Sequence, residues 1–214
     1  SPEIGPTLKK VMEANTCPAL LEKVLTLFEE PIREKYPSLT KEQTQASFTA
    51  TLCANTPSTG DRPARGPHLD VPKQLFNLLY YLRPPDYTAP GGNLDLYRYK
   101  TRFRGFSAGK SQLGLTDRAG IPLKDIDHAK TIPYAANSAI LYLNCIEAVH
   151  GVSPRGQTSD VRWFIDIAGK VQSPLYDPSD HMTHLDKVGQ KIKTPIYKNI
   201  NRVKNAIKRR VTTN

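Results

Sequence analysis

Between Gly5 and Tyr36 the apolar residues recur at helical spacing. Leu20, Leu21, Val24, Leu25, Leu27 and Phe28 form one stripe, and Pro37 supplies a stop. From Gln45 to Thr56 the pattern turns extended, with Ser-Phe-Thr-Ala-Thr-Leu-Cys at its centre. A polar loop bearing Pro and Gly runs from Pro57 to Pro67. Further strands are expected at Gln74–Leu82, Asn93–Thr101, Asn137–Leu143, Ala148–Val152 and Val161–Ile167, with turn signals between them. Short strands separated in this way predict a mainly β protein, a sandwich or barrel of jelly-roll type. The stretch from Lys100 to Ile132 reads as one long irregular connection rich in Gly, Lys and Arg, the kind of segment that often forms a lid or binding loop. Near the end, Val188, Ile192, Ile196, Ile200, Val203 and Ile207 return to helical spacing, broken at Pro195.

Composition narrows the class. The chain has 214 residues, enough for one domain with a buried core, and its 18 prolines suit many short strands better than a helical bundle. No apolar run approaches the length of a membrane-spanning helix, so no membrane span is expected. The three cysteines, Cys17, Cys53 and Cys145, are scattered and odd in number. They fit neither a disulfide framework nor a zinc cluster, and a reducing cytoplasmic setting is the simplest expectation. Net charge is +10, but it is unevenly spread: Lys187 to Asn214 holds nine Lys or Arg and no Asp or Glu. The basic character therefore belongs to this segment, which could grip an acidic carrier or another anionic partner.

The candidate chemistry begins with His68 and Asp70. Residues i and i+2 of an extended segment point to one side, so the two can grip one metal ion together. A third ligand must come from elsewhere, and His150 lies in a strand-like stretch far along the chain. Two neutral imidazoles and one carboxylate on a single face of an octahedron form the facial triad of non-heme iron(II) oxygenases, with three positions left open. The bland alternative makes both histidines ordinary core or turn residues and Asp70 a turn cap. A second pair, His181 and His184, lacks the Glu of a zincin pattern.

The text around these residues is more specific than the pair itself. His68-Leu-Asp70 leads into an aliphatic strand ending Tyr80-Tyr81-Leu82. Gly91-Gly-Asn-Leu-Asp-Leu-Tyr97 follows, then Asn137 to Leu143, then His150-Gly-Val-Ser-Pro154 and a strand led by Arg162. Over roughly residues 46 to 168 this order resembles the prolyl-4-hydroxylase-like branch of the iron(II)/2-oxoglutarate-dependent dioxygenases. The resemblance implies a double-stranded β-helix core at 46–168 braced by N-terminal helices; with helical support at 1–45 and the basic helical extension at 169–214 read from the residues themselves, one oxygenase domain is expected over 1–214. It implies His68, Asp70 and His150 as Fe(II) ligands. It also implies 2-oxoglutarate and O2 as cosubstrates, and hydroxylation of an unactivated C–H bond with decarboxylation of 2-oxoglutarate to succinate. Relatives that halogenate lack the carboxylate that Asp70 supplies, so hydroxylation of an amino-acid, peptidyl or small-metabolite substrate is expected.

In the same pattern Arg162 takes the distal carboxylate of 2-oxoglutarate through paired hydrogen bonds, on a strand expected to neighbour that of His150. Arg155 is the rival, and Tyr81 is expected to hydrogen-bond the same carboxylate if it, and not Tyr80, faces inward. One departure stands out. Relatives tend to carry small or hydroxylated residues two and four places after the arginine, whereas this chain has Phe164 and Asp166, so either the pocket or the assumed register differs. Arg98 and Arg102 alternate with aromatic residues and are candidates for a basic substrate-recognising rim, against the plainer reading of a solvated strand face. Two other functions stay open: a catalytically inactive binding module on the same scaffold, and a nucleic-acid-directed oxygenase using the basic segment.

Overall fold

The computed structural model describes residues 5–40, 47–59, 65–100 and 120–177. Arg102 and the basic segment from Lys187 to Asn214, with its expected broken helix, lie outside them, as do His181 and His184. Three helices open the described chain, where the stripe alone suggested one helical stretch: α1 (Pro6–Ala14), α2 (Pro18–Leu27) and α3 (Glu29–Lys35). Proline stands at the first turn of both α1 and α2, where its missing N–H would have no intrahelical partner anyway. Phe28 closes α2 and opens α3, and Tyr36 ends the run just before Pro37. Most of the apolar stripe packs inward, but Leu27 is 66% exposed. None of the described helices is long and apolar enough to cross a membrane.

Seven strands follow: β1 (Ser47–Asn55), β2 (Gln74–Tyr81), β3 (Leu94–Tyr99), β4 (Ile126–Ile132), β5 (Ser138–Leu143), β6 (His150–Val152) and β7 (Arg162–Lys170). They form two antiparallel sheets, a larger one ordered β1-β7-β2-β5 and a smaller one ordered β4-β3-β6. The molecule is thus mainly β, with few helices. One strand was not expected. β4 occupies the end of the supposed irregular connection and pairs along β3. Its sequence, Ile-Asp-His-Ala-Lys-Thr-Ile, is exposed at its five central positions, because as an edge strand it has little apolar surface to bury.

Alternation along the larger sheet separates two environments. Leu78, Ile165 and Ile167 face outward and are covered by Leu8, Val11 and Met12 of α1. Val24 and Ile32 of α2 and α3 close over Leu75, Phe76, Leu143 and Val171. On the other face Leu79, Tyr81 and Phe164 meet Leu94, Leu96 and Ile132 of the smaller sheet, together with Tyr134. Burying these side chains contributes about 1.5–3 kcal/mol each before the entropy of ordering is subtracted. A second change from expectation concerns Arg162. Its strand lies between β1 and β2 in the larger sheet, whereas His150 belongs to the smaller sheet. The segment 153–160 therefore crosses from one sheet to the other and is not a hairpin joining neighbours.

Candidate metal centre

His68 lies just outside the regular strands, yet it is tied to the smaller sheet. Its N–H donates to the His150 carbonyl at 2.8 Å, and the His150 N–H returns a bond to the His68 carbonyl at 3.1 Å. This reciprocal antiparallel pair sets the two imidazoles side by side, with ring centroids 4.4 Å apart. Asp70, two residues on, reaches the same point: its Oδ1 lies 3.6 Å from His68 Nε2 and its Oδ2 lies 3.5 Å from His150 Nε2. One donor atom from each residue falls within 4.8 Å of the others, and all three residues are buried.

Tautomers follow from the backbone. His68 Nδ1 lies 2.9 Å from the Gly66 carbonyl, and His150 Nδ1 lies 3.0 Å from the Ala148 carbonyl. A carbonyl only accepts, so each Nδ1 carries the proton and each Nε2 turns a lone pair toward Asp70. The same device, a bond to the carbonyl two residues earlier, appears twice. Two imidazole lone pairs and a carboxylate facing one another repel unless a cation sits among them, so this donor set fits a metal ion. Hard and borderline divalent ions suit it, iron(II) included. Burial alone would push the Asp70 carboxyl up. When the facing His150 and His68 rings also carry a proton on Nε2, their charge and the Tyr142 hydroxyl hold it well below the usual carboxylate range.

Around the triad lies a set of polar side chains that motif reading missed. Asn77 Nδ2 donates to Asp70 Oδ2 through a short bond, and Tyr142 Oη donates to the same oxygen at 2.7 Å. Asn77 and Tyr142 face each other across β2 and β5. Burial and the neighbouring Asp70 charge push the Tyr142 phenol well above its ordinary value, so it stays protonated and able to donate. Asn144 holds the Val71 and Gln74 carbonyls, and Tyr176 donates to the backbone carbonyl of Asp70. The one signal in the sequence is Asn77 itself, a polar residue inside the aliphatic run Leu75-Phe-Asn-Leu-Leu79.

Arg162 is 1% exposed and sits in an aromatic cage, its guanidinium carbon 4.9 Å from the Tyr81 ring, 4.7 Å from Tyr134 and 4.8 Å from Phe164. Nε donates to the Gly92 carbonyl at 2.7 Å, and Nη1 donates to Oδ1 of Asn55, the residue opposite Arg162 on β1. These bonds use two of the five N–H groups of a guanidinium. Burial draws its pKa down, while the surrounding tyrosines pull the other way. The Tyr81 hydroxyl is buried with no hydrogen-bond partner. A caged cation with spare donors beside an orphaned hydroxyl fits a buried carboxylate.

The other candidates separate cleanly. Tyr81 faces inward and is fully buried, whereas Tyr80 bonds Asn137 on the opposite side. Arg155 is buried but donates to the Asp160 carbonyl of its own loop and to the Thr56 carbonyl just after β1. Phe164 shares the face of Arg162 and Tyr81 and takes the register first assumed, so the departure at this position concerns the pocket and not a slipped strand. Arg98 is exposed and stands opposite Asp127 on β4, while Tyr97 and Tyr99 pack against Leu69, Ile121, Ile126 and Val149.

No family model and no curated protein matches the chain. Among solved structures it is similar to one described as "Crystal structure and expression patterns of prolyl 4-hydroxylases from Phytophthora capsici", with a TM-score of 0.44 and 17% identity. The similarity covers 78% of this chain and 43% of that one, so the chain spans less than half the length of that structure.

Proposed function

We propose that this chain is an Fe(II)- and 2-oxoglutarate-dependent oxygenase of the prolyl-4-hydroxylase-like branch, hydroxylating an unactivated C–H bond of an amino-acid, peptidyl or small-metabolite substrate. On this reading residues 1–214 form one domain, with a double-stranded β-helix at 46–168, helical support before it and a basic extension after it. The observation that carries it is the buried convergence of two imidazole Nε2 atoms and one carboxylate whose charges and lone pairs call for a cation.

His68, Asp70 and His150 would hold the iron, which when bound supplies the oxygen chemistry that no protein side chain provides. Arg162 and the Tyr81 hydroxyl would take the distal carboxylate of 2-oxoglutarate. The geometry of β2 supports the pairing. Asn77 touches Asp70 and Tyr81 lies against Arg162, and the two share one face of the strand four residues apart, about 13 Å. That span suits a short dicarboxylate. Tyr134 and Phe164 flank the guanidinium and keep water from it, which strengthens its hold on an anion. Arg98 and Arg102 remain candidates for substrate recognition, and Lys187–Asn214 for an acidic carrier or other anionic partner.

Anaerobic titration of the apoprotein with Fe(II) and 2-oxoglutarate tests the reading. A weak visible metal-to-ligand charge-transfer band that needs both components is the expected result. Its absence in folded, iron-supplied protein would overturn the proposal.

A further inference from the structure

Asn77 has served so far only to mark a position along β2, yet with Tyr142 it holds one specific atom. A carboxylate oxygen has two in-plane lone pairs, and Asp70 Oδ2 receives one hydrogen from Asn77 Nδ2 and one from Tyr142 Oη. Both of its directions are then committed to the protein. Tyr142 Oη also lies 3.3 Å from His150 Nε2, and Asn77 Nδ2 lies 3.2 Å from Tyr142 Oη, so the three polar groups form a closed ring beside the triad. Asn77 is 2% exposed, and its Oδ1 is buried without a hydrogen-bond partner. An apolar strand accepts such a polar group at a cost of about 1–3 kcal/mol unless its bonds are used.

We propose that Asn77 and Tyr142 are positioning residues that occupy Asp70 Oδ2 and so restrict Asp70 to one-oxygen coordination through Oδ1. The proposal rests on the metal-site reading above and adds a reason for it. A carboxylate bound through both oxygens would fill two coordination positions and leave two. Bound through one, beside two imidazoles, it leaves the three that chelation by a keto acid and binding of oxygen together require.

Co(II) serves as the test ion, because its visible d–d absorption reports coordination number without catalysis. Wild type, Tyr142→Phe, Asn77→Leu and the outward-facing control Tyr80→Phe are titrated with Co(II) against a chelator, and thermal unfolding of each metal-free protein is recorded. Tyr142→Phe and Asn77→Leu are expected to weaken Co(II) binding about 10- to 100-fold and to alter the d–d spectrum of what still binds, while Tyr80→Phe matches wild type. The two variants lose Asp70 bonds separately, so if one does not fold the other still decides. Wild-type affinity and spectrum in a folded variant would overturn the positioning role and leave the metal-site reading intact. An intense visible phenolate band in the Fe(III) protein that disappears in Tyr142→Phe would also overturn it, by making Tyr142 a ligand. Failure of wild type itself to bind Co(II) would remove both proposals.

Discussion

The two ends of the interior face are built by different physics. At the triad end the geometry is local and made by backbone: His68 and Asp70 are two residues apart, His150 is locked to His68 by reciprocal N–H to carbonyl bonds, and each imidazole is oriented by the carbonyl two residues before it. At the Arg162 end most of the support is remote: the guanidinium is held by Gly92, by Asn55 across a strand pair and by the rings of Tyr81 and Tyr134, with Phe164, two residues on in the same strand, as the local contact. A charge-bearing cluster that only a cation can reconcile is compact, and its support lies within hydrogen-bond reach of its own side chains. A lone buried cation that must wait for an anion depends on packing from every side. The two ends should therefore fail in different ways.

The largest effect is expected at the triad. His150→Ala should weaken Fe(II) or Co(II) binding at least about 100-fold, since it removes a ligand and not just its support. The backbone pairing of residue 150 needs no side chain, so far-UV circular dichroism should stay native. Unchanged metal affinity would erase the distinction between the ends. Next comes Arg162→Lys. It should raise the 2-oxoglutarate concentration needed for the charge-transfer band about 10- to 100-fold with iron affinity unaltered, because an ammonium cannot reproduce the fork or the stacking on three rings. Loss of iron binding in this variant would mean that the ends are one unit.

Gly91→Ala probes the loop that serves the Arg162 end. Gly91 has φ 75°, and a Cβ there would collide with the Pro154 carbonyl. The variant should lose about 1–3 kcal/mol in denaturant unfolding and should weaken 2-oxoglutarate binding before iron binding, because the neighbouring Gly92 carbonyl anchors Arg162 Nε. The smallest effect concerns Asp160. The Thr88 N–H, and then the Ala89 N–H, hold its carboxyl below the usual carboxylate range. A lowered folded-state pKa contributes stability that is complete above the unfolded value near about 4 and is lost as pH falls through the folded one. Asp160→Asn should therefore lower stability slightly at neutral pH and converge with wild type as pH falls through the folded-state value, which flattens the acid side of the profile. An unchanged profile would show that the carboxylate does not brace this loop.

Most elements were legible because their side-chain period is local. β2 reads as a buried run, β1 and β7 as extended segments, and α1 to α3 as one stripe punctuated by proline. β4 was not, since Ile126–Ile132 pairs at an edge with mostly solvated side chains and so carries no alternation to read. The strand partner of β7 was also out of reach. A short link such as 153–160 looks like a hairpin, but the choice between β6 and the β1–β2 gap is made by which faces bury Ile165 and Ile167 under α1.

Spacing in the chain by itself determined that His68 and Asp70 can share a metal, because two residues of extended backbone always return side chains to one face. Alternation likewise required one of Tyr80 and Tyr81 to point inward. Tertiary structure alone decided that it is Tyr81, that Arg162 lies among the rings of Tyr81, Tyr134 and Phe164, and that Asn77 and Tyr142 converge on Asp70. Each of those outcomes depends on contacts between residues far apart in sequence, and the register and layer order that create them are properties of the packed sheets and not of any one segment.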